Sequence, residues 1–332
     1  MKVVVTGATG FVGGALVRAL VAEGAQVVAL ARPQSPRHTL SPLPITWHEG
    51  DVTDPASLRG AFAGADWLIH SAGMLGQAGV PEAMYHRLHA QGTDNVLTEA
   101  AATPSLSRIL HISSPGVLGP ITGPPADETA PLAPSNPYER SKAAAEQVAH
   151  RFVAEGLPVI IGRPEFIYGP GDAHVLGLFR SVQKGLFFYV GRGRNTCHPT
   201  FIDDAVTGLL LCLKQGQPGA IYHIAGPRPV TFRELGTAIA EAVGVRPPWL
   251  QLPKPVVWGG AAALELIGQL TGLKPPLTRT GVAFFSEDRR FSWQKAHTEL
   301  GYTPQFDLAD GVKKTVAWYR EKGWLGVVSS DQ

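Results

Sequence analysis

The residues whose types and spacing could do chemistry are Tyr138 and Lys142, four positions apart in a segment that predicts a helix. Side chains four apart lie on the same face of a helix. A tyrosine hydroxyl has an ordinary pKa of about 10, and a nearby ammonium favours the phenolate, so we expect Lys142 to lower the pKa of Tyr138. Such a tyrosine can exchange a proton with an alcohol or carbonyl oxygen that Ser114 holds by a hydrogen bond. Because the same spacing also occurs on ordinary surface helices, the pair alone is weak evidence.

A glycine-rich segment at the start of the chain predicts a nucleotide site that these residues could serve. Residues 2–13 read KVVVTGATGFVG, in which a β-branched run precedes Gly7, Gly10 and Gly13. This pattern is typical of a buried strand, a tight turn and the first turn of a helix. Glycines let the backbone approach a pyrophosphate, and the free N–H groups of the helix start favour its negative charge.

The residue after the second predicted strand, 26–31, bears on the choice of cofactor. Enzymes that use NAD commonly place a carboxylate there for the ribose 2′-hydroxyl. This chain has no acidic residue between Glu23 and Glu49, and Arg32 stands at that place. A guanidinium suits a 2′-phosphate, so the sequence favours NADP(H), with NAD(H) as the alternative. Arg32 as a solvated loop residue remains the other interpretation, and Asp51 either binds the adenine amino group or only shapes a turn.

The order of predicted elements indicates an α/β fold with a doubly wound parallel sheet of the Rossmann type. Predicted strands lie at 3–6, 26–31, 45–48, 66–71, 107–113, 157–162 and 220–224, and long helices at 81–102 and 138–155. We expect residues 1–172, joined by 200–226, to form the dinucleotide-binding domain. Residues 173–199 and 227–332 then form a smaller α+β substrate domain.

Composition excludes several other classes of protein. The 332 residues carry 29 basic and 27 acidic side chains, and no basic run points to nucleic acid. Cys197 and Cys212 form no disulfide framework or zinc pattern, so we expect no metal and a cytoplasmic location. The apolar stretch 256–273, interrupted by Glu265, predicts a buried or pocket-lining helix rather than a transmembrane span. Contact of this stretch with a membrane surface is the less favoured interpretation.

Taken together, eight motifs in order resemble the extended short-chain dehydrogenase/reductase family, also called the NAD-dependent epimerase/dehydratase family. They are TGATGFVG at 6–13, GDVTD at 50–54, HSAG at 70–73, GTDNVL at 92–97, HISSPGVLG at 111–119, NPYERSK at 136–142, RPEFIYGPGD at 163–172 and FIDDAV at 201–206. The resemblance covers nearly the whole chain.

The resemblance implies a Ser–Tyr–Lys catalytic set and a row of cofactor contacts. Ser114 is preferred to Ser113 because it lies five residues before Gly119, as in the family. Lys142 is then also expected to hold the nicotinamide ribose. The implied cofactor contacts are Gly7, Thr9, Gly10, Phe11, Val12, Gly13, Asp51, Val52, Ser71, Ala72, Gly73, Tyr138, Lys142, Pro164, Phe166 and Ile167, to which the residues themselves add Arg32. A homodimer formed through the helices at 81–102 and 138–155 is also implied.

One position departs from the family pattern. The family usually has an asparagine three residues before the glycine matched by Gly92, and this chain has His89 there. We expect His89 to be a packed or solvated side chain rather than a catalytic base.

The C-terminal half favours one branch of the family. The segment 279–302 and the ending WYREKGWL at 318–325 are similar to the hydroxysteroid-dehydrogenase branch, which implies an NADP(H)-dependent alcohol dehydrogenase or ketone reductase. Aromatic residues at 187–189 and 284–285, and Trp249, suit a bulky hydrophobic ketone, or else are simply core. The alternative is a nucleotide-sugar epimerase or dehydratase that retains NAD, using arginines 192, 194, 279, 289 and 290 for phosphate. A non-catalytic NADP sensor ranks last, because serine, tyrosine and lysine are all present.

Overall fold

The protein is described by a computed structural model covering residues 1–77, 79–273, 275 and 277–326. Within these ranges the chain forms thirteen strands and eleven α-helices. The strands are β1 (Lys2–Thr6), β2 (Gln26–Ala31), β3 (Thr46–Glu49), β4 (Trp67–His70), β5 (Arg108–Ile112), β6 (Val159–Pro164), β7 (Ile167–Tyr168), β8 (Tyr189–Val190), β9 (Thr196–Cys197), β10 (Thr200–Phe201), β11 (Ile221–Ile224), β12 (Val230–Thr231) and β13 (Gln251–Leu252). The helices are α1 (Phe11–Ala22), α2 (Glu82–His86), α3 (Gly92–Ala101), α4 (Pro137–Ala154), α5 (Leu176–Gln183), α6 (Ile202–Gln215), α7 (Phe232–Val243), α8 (Lys254–Thr271), α9 (Arg279–Ser286), α10 (Gln294–Leu300) and α11 (Leu308–Glu321).

Seven strands form one parallel sheet in the order β11-β6-β5-β4-β1-β2-β3. The predicted doubly wound fold is therefore confirmed. The strand order reverses beside β1, and in such sheets ligands bind outside the carboxyl ends of the strands at this point. The continuous apolar run of β1 follows from its central place, since it is covered on both faces.

Helices cover both faces of the sheet with separate apolar cores. On one face Leu16 of α1 and Leu209 of α6 are fully buried, and this core continues to Phe232 in the C-terminal half. On the other face Leu97 of α3 and Phe152 of α4 pack together. The strand β11 joins the sheet beside β6, as expected for the stretch 200–226. The domain boundaries given above stay a prediction.

Two predicted helices differ from the structure. The helix predicted at 81–102 contains a π-helical turn at Arg87–Gln91 between α2 and α3. The stretch 256–273 forms most of α8, of which Val257 and Ala261 are buried while Leu270 is 79% exposed. The prediction of a buried helix is therefore wrong for α8 as a whole, whereas the alternative of a pocket-lining helix holds for the part of α8 that lines a cavity. Among the described residues, no helix is both long and apolar enough to cross a membrane.

Candidate active site

A cleft of about 3000 Å³ lies at the carboxyl ends of the sheet strands. The catalytic and cofactor-binding residues predicted from the sequence all line it, and parallel strands explain this convergence because their carboxyl ends share one edge. These residues are Gly7, Thr9, Gly10, Phe11, Val12, Gly13, Arg32, Asp51, Val52, Ser71, Ala72, Gly73, Ser114, Tyr138, Lys142, Pro164, Phe166 and Ile167.

The glycine-rich turn is shaped to receive a pyrophosphate. Gly7 has φ +65°, and a Cβ there would lie 2.7 Å from the backbone of Ala72. A Cβ on Gly13 would lie 2.2 Å from the Gly7 carbonyl oxygen. The helix α1 begins after Gly10 without a side-chain cap, which leaves its first N–H groups free for an anion. These features fit a dinucleotide cofactor.

The loop after β3 forms the far end of the cleft. The Asp51 carboxylate accepts hydrogen bonds from the amide of Thr53 at 2.8 Å and from its hydroxyl at 2.9 Å, so it shapes this turn. The side-chain amide of Asn95 donates to the Val52 carbonyl at 2.8 Å and fixes the loop against α3. Asp51 therefore lines the cleft and also stabilises this turn.

The two arginines that follow β2 have different surroundings. Arg37 is ion-paired with Glu49 at 2.7 Å and lies over the ring of Trp47. Arg32 is exposed, lines the cleft, and has no ion-pair partner among the described residues. Arg32 is therefore the arginine of this loop whose charge is available at the cleft.

Local sequence places Tyr138 in the first turn of α4. The side chain of Asn136 caps this helix by accepting from the Glu139 amide at 3.0 Å, and Pro137 occupies the first helical position. Tyr138 is half-buried at the cleft wall, and Ser114 lies close enough to its hydroxyl to affect its pKa. The hydroxyl of the neighbouring Ser113 is buried without a hydrogen-bond partner in the described part of the chain. The geometry thus brings Ser114 to Tyr138.

The environment of Tyr138 differs from the expectation. Burial raises the pKa of Tyr138 to about 12, which outweighs the opposite effect of the nearby Ser114 hydroxyl. The carboxylates of Glu165 and Glu139 raise it further. The prediction of a lowered pKa for Tyr138 is therefore wrong for the protein without cofactor. The free-energy cost of desolvating the phenolate exceeds the stabilisation that the neighbouring groups give it.

The ammonium of Lys142 is directed into the protein. It donates to the Ile112 carbonyl at 2.6 Å, and burial lowers its pKa to about 8, against the opposite effect of Glu146. Glu146 itself is held by a buried two-pronged ion pair with Arg163, at 2.6 and 2.8 Å. Lys142 is consequently anchored to the end of β5 beside the cofactor side of the cleft.

Sequence reasoning gave no role to His70 or Glu165, two buried polar side chains in or next to this site. His70 bridges Thr6 and Thr93 at 2.8 and 3.1 Å, and burial, assisted by Lys142, lowers its pKa to about 3. On the substrate side, Arg289 pairs with Glu139 at 2.7 Å. Glu165 lines the cleft next to this pair, and burial raises its pKa to about 7. Glu165 stands inside the RPEFIYGPGD motif, which is the one signal that could have drawn attention to it.

Aromatic side chains line the substrate side of the cleft. Phe284 lies 5.4 Å from Phe166 and 5.3 Å from Phe285, measured between ring centroids, and Phe187 lies 5.9 Å from Phe285. All four line the cleft. Trp249 is 80% exposed and lies outside the cleft lining, so its assignment to the substrate side is wrong.

The arginines considered for phosphate binding are mostly neutralised. Arg279 pairs with Glu265 at 2.7 Å, as Arg289 does with Glu139. Arg290 pairs with Asp288 at 3.3 Å, and arginines 192 and 194 lie outside the cleft lining of the described residues.

Comparison with known proteins places these observations in a family. The family described as "NAD dependent epimerase/dehydratase family" matches residues 3–225. The chain is 31% identical over 331 residues to the 2-alkyl-3-oxoalkanoate reductase of Stenotrophomonas maltophilia (strain K279a), covering 96% of this chain and 99% of the relative. It is also 31% identical over 361 residues to the dTDP-glucose 4,6-dehydratase of Streptomyces niveus, covering 100% and 97%.

A solved structure agrees over the same length. The crystal structure of DesIV, the dTDP-glucose 4,6-dehydratase of Streptomyces venezuelae, contains NAD. It matches with a TM-score of 0.80 and 28% identity, covering 98% of both chains.

Proposed function

The chain belongs to the NAD-dependent epimerase/dehydratase family, whose members are NAD(P)-dependent enzymes acting on CH–OH groups, and on that premise we propose that it is an NADP(H)-dependent ketone reductase. Its substrate is a bulky, largely hydrophobic compound carrying a secondary alcohol or a ketone. The 2-alkyl-3-oxoalkanoate reductase relative supports a 3-oxoacyl compound with alkyl chains as the first class to test.

The observation that carries this proposal is the chemistry of the substrate side of the cleft. Phe166, Phe187, Phe284 and Phe285 offer an apolar wall, which favours burial of an apolar ligand. A nucleotide sugar needs cations for its diphosphate, and Arg289 is already paired with a carboxylate. Recruiting that arginine for phosphate means leaving a buried carboxylate unpaired, which is costly.

The raised pKa of Tyr138 keeps its hydroxyl protonated near neutral pH, which is the form that reduction of a ketone requires. Its hydroxyl stays protonated and can give its proton to the substrate oxygen, while Ser114 holds that oxygen. Lys142 and the glycine-rich turn are the residues that hold the cofactor, which supplies the hydride.

Tyr138→Phe tests the catalytic assignment. We expect turnover of ketones with NADPH to fall by about a hundredfold or more, because general acid catalysis contributes on that scale. The affinity for NADPH, measured by fluorescence titration, should stay within a few-fold. Tyr222→Phe is the matched control, since that hydroxyl donates to Glu299 outside the cleft lining. Undiminished turnover by Tyr138→Phe rules out this tyrosine as the proton donor.

The preference for NADP(H) rests on Arg32. Arg32→Asp should weaken NADPH binding by about tenfold or more, because a charge-assisted hydrogen bond to the 2′-phosphate is lost and a repulsive charge is added. NADH binding should be unaffected or improve. Arg37→Asp is the control, because Arg37 is committed to Glu49. Equal losses for the two variants contradict a specific role for Arg32.

A nucleotide-sugar epimerase or dehydratase is the second candidate, supported by the dTDP-glucose 4,6-dehydratase relative. Such an enzyme regenerates its cofactor in every cycle and can retain it, whereas a reductase must exchange it. Nucleotide released by denaturing the freshly purified protein separates the two. Stoichiometric NAD⁺ favours the sugar enzyme, and a site that fills only on addition of NADPH favours the reductase.

We also propose a homodimer formed through the α2–α3 segment and α4, as the family resemblance implies. The side chain of Met84 on α2 is 52% exposed at the border of the cleft and is available to such a contact. Sedimentation equilibrium of the protein and of Met84→Glu tests it, because a buried charge should dissociate the dimer. A cytoplasmic location stays a prediction.

A further inference from the structure

His89 occupies a wider turn in the helix beside the catalytic residues. The π-helical turn at Arg87–Gln91 interrupts the rod formed by α2 and α3, and His89 lies within it. Turns of this kind frequently occur at functional sites because they redirect a side chain. His89 is 2% exposed and faces both α4 and the loop after β4.

The hydrogen bonds of His89 determine its tautomer. The Ser141 hydroxyl donates its single proton to the Tyr138 carbonyl at 2.7 Å, so its oxygen accepts at 2.7 Å from Nδ1–H of His89. Nε2 of His89 then carries a lone pair, and it accepts from the Met74 amide at 3.1 Å. His89 is therefore a neutral imidazole with both nitrogens occupied. Its lowered pKa, about 3, arises mainly from burial and keeps it neutral.

These bonds join two walls of the cleft. One wall is α4, which carries Tyr138, and the other is the loop at 71–77. The His89 ring also lies edge-on to the Tyr138 ring at a centroid distance of 5.7 Å. Gly73 approaches so closely that a Cβ there would lie 3.3 Å from Nε2 of His89. The hydroxyl of Tyr85 supports the same loop by accepting from the Gln77 amide at 2.6 Å.

We propose that His89 is a positioning residue that clamps the 71–77 loop to the start of α4 and so fixes the cofactor-facing loop relative to the Tyr138 hydroxyl. It takes no proton itself, because neither nitrogen is free. The expected effect on turnover rests on the proposed reductase function. A misplacement of the catalytic groups by about 1 Å can lower the rate a hundredfold. Cofactor affinity should change less, because the Ala72 amide is held separately by the Thr6 hydroxyl at 3.2 Å.

Three substitutions dissect the clamp. His89→Phe fills the site but makes neither hydrogen bond. His89→Asn keeps a donor near the position of Nδ1 for Ser141, and His89→Gln keeps an acceptor near the position of Nε2 for Met74. We expect kcat to fall roughly 10- to 100-fold for the phenylalanine variant and less for the other two, with the Kd for NADPH within about threefold of the wild type.

Hydrogen exchange provides a readout that needs no substrate. The Met74 amide should be protected in the wild type and in His89→Gln, and should exchange faster in His89→Phe and His89→Asn. If the wild type reduces no ketone, the proposed function fails, and the exchange rates alone still decide whether the clamp exists. Unchanged Met74 protection in His89→Phe overturns the clamp.

The kinetic outcomes are equally decisive. A kcat of His89→Phe within twofold of the wild type overturns the positioning role, as does an equal loss in all three variants, which indicates packing alone. Should His89→Phe not fold, Ser141→Ala removes the Nδ1–H acceptor from the other side. It should lower kcat while leaving NADPH affinity intact, and an unchanged kcat in that variant also overturns the proposal.

Discussion

Glu165 should make the stability of this protein depend on pH in a direction that can be measured. Its carboxyl is 5% exposed beside Tyr138 and the Arg289–Glu139 pair. Burial raises its pKa from the ordinary value of 4.5 to about 7, with Arg289 acting in the opposite direction and Glu139 in the same one. Because the folded pKa is raised, the folded state holds the proton more tightly. The stabilisation of the folded state by this bound proton is complete below pH 4.5 and is lost as the pH rises through 7.

The two pKa values set the magnitude. Relative to a side chain that does not titrate, ionisation of Glu165 costs folding about 1 kcal/mol at pH 5 and about 3 kcal/mol at pH 8. Glu165→Gln removes the titration while keeping the shape. The free energy of unfolding of the variant, minus that of the wild type, should therefore rise by about 2 kcal/mol between pH 5 and pH 8.

Urea denaturation of the cofactor-free protein at these two pH values is the assay. Other titrating groups are common to both proteins and cancel in the difference. Glu241→Gln, at an exposed position on α7, controls for the change in net charge. A difference that moves by less than about 1 kcal/mol, or that falls with pH, refutes the reasoning about Glu165.

Two further predictions concern the scaffold of the site. Arg163→Ala leaves the buried Glu146 carboxylate unpaired and should lower the free energy of unfolding by about 3–5 kcal/mol, whereas Arg228→Ala, in an exposed pair, should change it by less than about 1 kcal/mol in the same urea titration. Gly13→Ala places a Cβ 2.2 Å from a carbonyl oxygen and should weaken NADPH binding about tenfold or more by calorimetry. Gly260→Ala on α8, where a Cβ meets nothing, should leave that affinity unchanged; equal losses contradict the steric argument.

Short-range patterns in the sequence were sufficient for much of the fold. The strand β2 lies at the predicted residues, because a short apolar run bounded by turn residues is recognisable within one element. The sequence Asn136–Pro137 also indicates the start of α4, since a helix cap depends on residues only three apart. The helices α9 and α10 were not predicted, because segments of 8 and 7 residues span only two turns, too few for a helical repeat to be recognised.

The sequence by itself predicted the nucleotide turn from residue type and local spacing, and its family resemblance implied the Ser114, Tyr138 and Lys142 set. Only the tertiary structure decided how those groups behave. The pKa of Tyr138 depends on burial and on Glu165, and the tautomer of His89 depends on Ser141, 52 residues away. Burial and charge pairing are sums over contacts between distant segments, and no local pattern in a sequence records them.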